Sequence, residues 1–137
     1  MKKLIFICFI AFCQAAIIYS QTRADDIIGY YLAYDPSNGD KAQMEVYKTA
    51  EGKYEVKVVW VENQNNIRQI GRVQIRNLTF DARSNSWRDG KVMYGGREYS
   101  MIVSFANDGR LRVRGYFGVS MLGRTQYWTK ERELRRR

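Results

Sequence analysis

The 137-residue sequence predicts an all-β protein: an eight-stranded antiparallel up-and-down β-barrel that follows an N-terminal signal peptide. Short segments rich in Val, Ile, Tyr, Phe, Trp and Thr recur between turn residues from Ile27 to Thr129. Apolar and polar residues alternate in several of them, which is typical of strands with one buried face. No segment reads as a helix that would cover the sheet, so closure into a barrel best hides its apolar face and edges. An open two-sheet sandwich is the alternative.

The first twenty residues have the organisation of a secretory signal. Lys2 and Lys3 precede an apolar run, and Ser20 is a small residue before a cleavage point that we place at Gln21. A membrane anchor is the alternative, but the run is near the lower length limit for crossing a bilayer. The bulky residues that precede the two cysteines of the run disfavour a lipoprotein anchor.

We therefore predict an exported protein that is periplasmic or secreted after signal peptide cleavage. The predicted organisation is a signal peptide over 1–20, a single β-barrel domain over 21–130 and a basic C-terminal tail over 131–137. The tail carries no packing stripe, so we expect it to be frayed.

Composition excludes several kinds of chemistry. Both cysteines lie in the signal segment and the sequence has no histidine, which excludes disulfides, a thiol nucleophile, a histidine base and an ordinary zinc site. We expect no catalytic residue, no metal and no cofactor. Loss of Lys2 and Lys3 lowers the formal charge from +9 to +7, which we interpret as a solvated surface and tail, with attraction to anionic surfaces as the alternative. We expect neither a nucleic-acid partner nor an integral membrane protein.

The strands follow one another as a run of hairpins. We predict them over residues 28–35, 41–49, 53–61, 70–80, 86–94, 98–106, 110–117 and 124–130. Glycine-containing turns and the polar loops "ENQNN" and "DARSNS" separate them. Alternate connections of such a barrel share an end, so the loops 37–40, 62–68, 95–96 and 118–123 are predicted to rim one mouth.

Alternation assigns the inward faces. We predict that Tyr30, Trp60 and Tyr99 point inward within their strands, together with Ile28, Leu32 and Tyr34. In the seventh strand Gly115 faces the core, where it bends the strand or makes room for another side chain, and Arg110, Arg112 and Arg114 face solvent. In the last strand we place Arg124, Gln126 and Trp128 inward.

Four segments also carry a family resemblance: "GYYLAYD", "YEVKVVW", "WRDGKVMYGGREYS" and above all "LRVRGYFGVSMLGRTQYWT". They resemble the bacterial exported family called domain of unknown function 2147, over about residues 28–130. The sequence departs from that family in having Tyr30 where many members carry tryptophan, and in its arginine-rich tail. The resemblance implies a lipocalin-like or fatty-acid-binding-like barrel in the bacterial envelope and no established activity.

The leading functional hypothesis is a non-enzymatic barrel that binds a small amphiphilic or anionic ligand. The predicted pocket is lined by Arg124, Gln126, Trp128, Tyr30, Trp60 and Tyr99. A buried guanidinium needs a carboxylate, carbonyls, an aromatic face or an anionic ligand, so Arg124 is either a ligand contact or a structural strut against Trp128.

Two alternatives come from other classes. A filled barrel could recognise an envelope protein or cell-wall surface through its mouth loops. An enzyme could use carboxylate and arginine chemistry, with Asp89, Glu45 and Glu55 as the candidate carboxylates. We interpret Asp89-Gly90 as a turn or bulge, and the two glutamates as solvated.

Overall fold

The computed structural model describes residues 22–35, 38–117 and 119–136, so the predicted signal peptide lies outside the described residues. A short 3₁₀ helix, Ala24–Ile27, precedes the strands, and a second, Gln64–Gln69, lies within a loop. The strands are β1 Gly29–Tyr34, β2 Lys41–Lys48, β3 Tyr54–Val61, β4 Val73–Asp81, β5 Ser86–Tyr94, β6 Arg97–Phe105, β7 Leu111–Phe117 and β8 Val119–Glu131.

The strands form a closed barrel in which each pairs with its neighbours in sequence order. Closure comes from antiparallel pairing of β1 with β8, in which Tyr30, Tyr31 and Leu32 lie opposite Glu131, Lys130 and Thr129. Every strand therefore has two partners and the sheet has no open edge. The predicted barrel is confirmed, and the alternative sandwich is wrong.

The predicted turns lie where the glycines indicated. Gly95 and Gly96 both have positive φ, at 58° and 79°, which a two-residue hairpin loop of the common primed type requires. The largest error in the strand bounds is at β8, which begins at Val119 rather than at residue 124, since Val119 already pairs with Phe117 of β7. The loop "ENQNN" is also more ordered than predicted: Asn63 accepts a hydrogen bond from the Asn65 amide at 3.0 Å and begins the second 3₁₀ helix.

Bulges in β4 and β5 bend the wall where the two strands meet. Asp89 has φ of 60° at a register shift between Trp87 and Gly90, so the predicted turn or bulge at Asp89-Gly90 is confirmed as a bulge. On β4, Asn77 has φ of 65°, and its side-chain amide donates to the Asp89 carbonyl at 3.0 Å. The extra residue brings Gly90 onto the inner face, where it is buried.

One end of the barrel is closed by the N-terminal 3₁₀ helix. The indole of Trp87 donates to the Ala24 carbonyl at 3.0 Å, and the Tyr31 hydroxyl donates to the Ile27 carbonyl at 2.8 Å. Fully buried side chains gather beneath this plug, because the inner residues of β1, β3, β5, β7 and β8 converge there. They include Ile27, Tyr31, Tyr54, Leu78, Trp87, Leu111 and Trp128.

The plug is also held by a polar contact at its surface. The Tyr54 hydroxyl donates to the Asp25 carboxylate, and Lys48 Nζ lies 3.1 Å from the same carboxylate. The hydrogen bond from Tyr54 and then the charge of Lys48 hold the pKa of Asp25 below its ordinary value. The carboxylate form of Asp25 therefore favours the folded state.

This contact has a consequence for stability in acid. Because the pKa of Asp25 is lower in the folded chain than in the unfolded chain, its contribution is present above about pH 4 and is lost as the pH falls through the folded-state pKa. We expect Asp25→Asn to lower stability at pH 7 and to flatten its decrease between about pH 4 and pH 2. Urea midpoints measured along this pH series test this, and an unchanged acid slope in Asp25→Asn would contradict it. Asp26→Asn is the neighbouring control.

Strand β1 is covered on both faces, which explains why its predicted inward face was wrong. Tyr31 and Ala33 point to the core and are 0% and 4% exposed, whereas Ile28 and Tyr34 are 41% and 44% exposed. Leu32, on the outer wall, is also buried at 7%. A strand buried on both sides loses the alternation of apolar and polar residues. The apolar run of β1 therefore did not show which residues point inward.

A bulge gives β3 a similar change of phase. Gln43 lies opposite Trp60, but the next residue, Met44, lies opposite Val58, so β3 contains one extra residue. The inner face is consequently taken by Val61, which is 6% exposed, while Trp60 lies on the outer wall. The prediction that Trp60 points inward is wrong.

The C-terminal segment packs across this outer wall. Gln43 is fully buried there: its amide donates to Glu131 at 3.0 Å and to the Glu133 carbonyl at 2.7 Å, and its oxygen accepts from the Arg135 amide at 2.9 Å. The Arg135 guanidinium binds Glu131 through two hydrogen bonds and lies 5.0 Å from the ring centre of Trp60. The expectation of a frayed tail is wrong as far as Arg135, because the segment has specific partners up to that residue.

Arg135 therefore contributes to stability in a way that its neighbour does not. We expect Arg135→Ala to lower the free energy of unfolding by about 1 kcal/mol, since it removes a two-bond carboxylate pair and a cation–π contact that are partly exposed. Arg132→Ala, an exposed residue of the same segment, is expected to cost less than about 0.5 kcal/mol. Urea unfolding of both variants tests the difference. Equal losses would show that only the net charge of the segment matters.

Candidate functional site

The end of the barrel opposite the plug is its mouth. Because the strands run up and down, the connections after β1, β3 and β5 lie at this end, as predicted. The predicted mouth loop 118–123 is wrong over residues 119–123, which belong to β8, and Ser37 and Gly118 lie outside the described residues. Side-chain hydrogen bonds join two of these loops: Asn63 donates to Asp40 at 3.0 Å, and Glu62 accepts from the Lys41 amide at 3.2 Å. This side of the rim is held in place by polar contacts between neighbouring loops.

Inward-pointing residues near the mouth are only partly buried. Met44, Val92, Tyr99, Met101 and Gln126 lie on the inner face by register, yet each keeps part of its surface exposed. The inner residues near the plug, in contrast, are almost fully buried. The barrel is thus packed at the plug end and accessible from the mouth along β5, β6 and β8.

Two glycines shape this part of the wall. A Cβ on Gly115 would lie 2.9 Å from Met101 Sδ, and a Cβ on Gly90 would lie 3.0 Å from Met101 Cβ. The absence of both side chains makes room for Met101 between β5 and β7. Of the two roles predicted for Gly115, the structure supports making room for another side chain.

The predicted inner face of β8 is confirmed. Trp128 is 5% exposed, and its indole donates to Gln126 Oε1 at 3.0 Å, so the two side chains share the interior. Arg124 continues the same face and lies opposite Gly115, but it is exposed. A buried strut at Arg124 is therefore wrong: the hydrogen bond of Trp128 goes to Gln126, and Arg124 lies toward the mouth.

The six predicted pocket residues fall into two groups. Tyr99, Arg124, Gln126 and Trp128 lie on the inner face, with Tyr99 and Arg124 nearest the mouth. Tyr30 and Trp60 lie on the outer wall, where Tyr30 is opposite Glu45 and Trp60 is beside Arg135. The structure thus brings four of them to one interior and separates the other two from it.

Sequence reasoning missed Met101 and Tyr31. The position of Met101 between two glycines of different strands depends on register, which no local pattern reveals. Tyr31 is buried beside the plug, and burial followed by the charge of Asp26 raises the pKa of its hydroxyl. The Tyr31 hydroxyl is buried against the Ile27 carbonyl of the N-terminal 3₁₀ helix, and recognising that helix in the sequence would have indicated the burial of Tyr31.

The carboxylates considered for catalysis have structural partners or lie in solvent. Glu45 lies 3.7 Å from Lys57, whereas Glu55 accepts a hydrogen bond from Tyr47 at 2.7 Å. Asp89 is exposed in the bulge of β5.

A second concave region lies outside the barrel, between the β2–β3 turn and β4. This groove of about 190 Å³ is lined by Thr49, Glu51, Lys53, Glu55, Arg76 and Asn77. Its polar groups are bonded to one another: Lys53 donates to Asn77 at 2.7 Å, and burial together with the Glu55 hydrogen bond raises the pKa of Tyr47 to about 12. Hydrogen bonds between neighbouring side chains therefore account for the polar lining of the groove.

Within 22–35, 38–117 and 119–136 no three His, Cys, Asp or Glu side chains are grouped so that they could hold a metal ion. In the same part of the chain, no helix has both the length and the apolar character needed to span a bilayer.

Fold and site together define an eight-stranded up-and-down barrel, plugged at one end by a 3₁₀ helix and accessible at the other. This is the architecture of lipocalin-like proteins. The chain belongs to the family described as "Uncharacterized protein conserved in bacteria (DUF2147)", whose model matches residues 29–130.

A solved structure supports the class. It is described as protein HP1028 from the human pathogen Helicobacter pylori, a member of the lipocalin family. The match has a TM-score of 0.60 at 16% sequence identity and covers 77% of this chain and 83% of that one. At this identity the likeness shows the fold alone. No curated protein matches the chain.

Proposed function

We propose that this protein is a non-enzymatic carrier that binds a small amphiphilic or anionic ligand in the mouth half of its barrel. The observation that carries the proposal is the accessible inner wall, where apolar Met44, Val92 and Met101 share the inner face with the polar side chains of Tyr99 and Arg124. Such a wall suits a ligand with an apolar body and a polar or charged head. Barrels of eight strands hold one small ligand when their interior is not filled.

We also propose that the chain is exported. Residues 1–20 have the basic start and apolar run of a signal peptide, so we infer that the chain acts in the bacterial envelope, as a periplasmic or secreted protein. Determining the N-terminal residue of the protein recovered from its native host tests this. A start at Gln21 supports cleavage and export, whereas a retained Met1 contradicts them.

The ligand is tested by native mass spectrometry of the protein purified from its own compartment without detergent. The expected result is a reproducible added mass that disappears on denaturation. Arg124 is exposed rather than a buried strut. Arg124→Met is therefore expected to lower the fraction of protein that carries the added mass at least tenfold, while shifting the melting temperature by less than about 2 °C. Arg68→Met, an exposed change in the second 3₁₀ helix, is the control.

A bare mass would favour a second function. Tyr34 and Ile67, at the end of β1 and in the loop after β3, are 44% and 37% exposed at the rim. Exposed apolar residues beside a mouth suit recognition of an envelope protein or cell-wall surface. In that case Ile67→Ser should abolish capture of a crosslinked partner, and Arg124→Met should not.

A further inference from the structure

Charge is segregated between the two halves of the barrel. Residues 22–72, which form β1 to β3, contain seven lysines and arginines and eight aspartates and glutamates. Residues 73–130, which form β4 to β8, contain ten lysines and arginines and only four aspartates and glutamates. The positive charge of the folded body therefore belongs to one side of the molecule.

The outer wall of β5, β6 and β7 concentrates this charge. Lys91, Arg112 and Arg114 point outward there, because Trp87, Gly90, Val103 and Val113 take the inner positions of the same strands. Register places Lys91 opposite Ser100, Arg114 opposite Ile102 and Arg112 opposite Ser104. We call these six residues the basic wall.

The basic wall offers donors and no carboxylates. Lys91 Nζ donates to Ser100 Oγ at 3.1 Å, and Arg114 donates to Thr125 Oγ1 at 3.1 Å. Asp81 and Asp108 of this half lie toward the plug, Asp89 is in the bulge, and Glu98 lies opposite Met93 near the mouth. Arginine, lysine and hydroxyl groups arranged in this way are the ligands of phosphate oxygens.

An apolar side chain extends the basic wall toward the mouth. Met93 is the next outward residue of β5 after Lys91, and it is 60% exposed beside the β5–β6 hairpin. Burial of a methionine is favourable at a lipid interface, and a hydrated glycan offers no comparable environment. Basic residues followed by an exposed apolar residue thus fit a membrane surface better than a soluble polyanion.

We propose that the basic wall docks this protein on membrane surfaces rich in anionic phospholipid, with Met93 entering the interface. Arg112, Arg114 and Lys91 contact the phosphates, and the mouth lies at the end of the molecule that Met93 brings to the bilayer. The proposal concerns the outer wall and does not depend on any ligand inside the barrel.

Co-sedimentation with vesicles tests the proposal. The purified protein is mixed with vesicles of phosphatidylglycerol and phosphatidylcholine, or of phosphatidylcholine alone. We expect at least tenfold stronger partition to the anionic vesicles, and loss of that preference at high salt. Each lost cation should weaken binding about fivefold. Lys91→Gln with Arg112→Gln should therefore lower partition more than tenfold.

A matched control separates the basic wall from net charge. Arg23→Gln with Arg132→Gln removes the same charge from exposed positions at the plug end and should change partition less than twofold. Met93→Ser should reduce binding without changing the salt dependence. Equal losses in the two double variants, or equal binding to both kinds of vesicle, overturn the proposal. Binding to dextran sulfate without binding to vesicles also overturns it, in favour of a polyanionic glycan.

Discussion

Replacing Trp87 with alanine is expected to lower the free energy of unfolding by about 3–5 kcal/mol. Trp87 is fully buried, and its ring lies between Phe80 and Phe105, with ring centres 5.1 and 5.6 Å away. Its indole also holds the N-terminal plug through the Ala24 carbonyl at 3.0 Å. The change therefore leaves a cavity in the core and also removes the hydrogen bond that holds the plug. Urea unfolding followed by circular dichroism measures the loss.

Two further variants separate these contributions. Trp87→Phe keeps an aromatic ring but not the hydrogen bond, and we expect a cost of about 1–3 kcal/mol, together with faster hydrogen exchange in the plug. Trp60→Ala removes a tryptophan of the outer wall, and it should cost less than Trp87→Ala. Equal losses at the two tryptophans would contradict the assignment of Trp87 to the centre of the core. Because a domain of this size has a total stability of about 5–15 kcal/mol, the measurements belong at low temperature.

Replacing Gly90 with alanine is expected to cost about 1–3 kcal/mol, the usual range for overpacking. The new Cβ would lie 2.7 Å from Leu78 Cδ2, 3.0 Å from Met101 Cβ and 3.2 Å from Ile75 Cγ2. Since one of these atoms is a Cβ fixed to the backbone, the neighbours cannot all move away. The loss follows from this crowding, because Gly90 does not have the positive φ that would strain an alanine. Thermal and urea unfolding measure it.

Gly115 provides the matched control on the facing side of Met101. A Cβ there would lie 2.9 Å from Met101 Sδ, the far end of a flexible side chain that can change rotamer. Gly115→Ala is therefore expected to cost less than about 1 kcal/mol. If Gly115→Ala proved more destabilising than Gly90→Ala, the packing described around Met101 would be wrong.

The proposed functions use different surfaces of one barrel. The ligand proposal concerns the accessible inner wall, where Arg124 and Gln126 extend from the core toward the mouth. The docking proposal concerns the outer wall of β5 to β7. Variants of Arg124 and of Lys91 with Arg112 should consequently fail in different assays, so loss of one function leaves the other measurable.

Strand positions were well predicted because their signals are local. Turn residues such as Gly95-Gly96 must adopt backbone angles that few residues tolerate, and β-branched and aromatic runs mark the strands between them. The inner face of β8 was also correctly chosen, since Trp128 and Gln126 share one side of the strand.

The predicted inward-facing residues were wrong where a distant segment covers the outer wall, or where an extra residue in a bulge shifts the alternation between inward and outward side chains. In β1 the alternation was hidden because the C-terminal segment covers the outer wall near Leu32 and Gln43. In β3 one bulge placed Trp60 outside and Val61 inside. Contacts between Gln43 and Arg135 join residues 92 positions apart, a separation that no local pattern reports.

Local residue patterns by themselves determined the strand order, the turns and the choice of a barrel, because backbone conformation and burial alternation are written in neighbouring residues. The sequence also shows directly that the chain contains no histidine and that both cysteines precede residue 21. Only the tertiary structure decided which end is plugged, which tryptophans face the core and which basic side chains share one outer wall. These features depend on register and on contacts between distant segments, and both are set when the sheet closes.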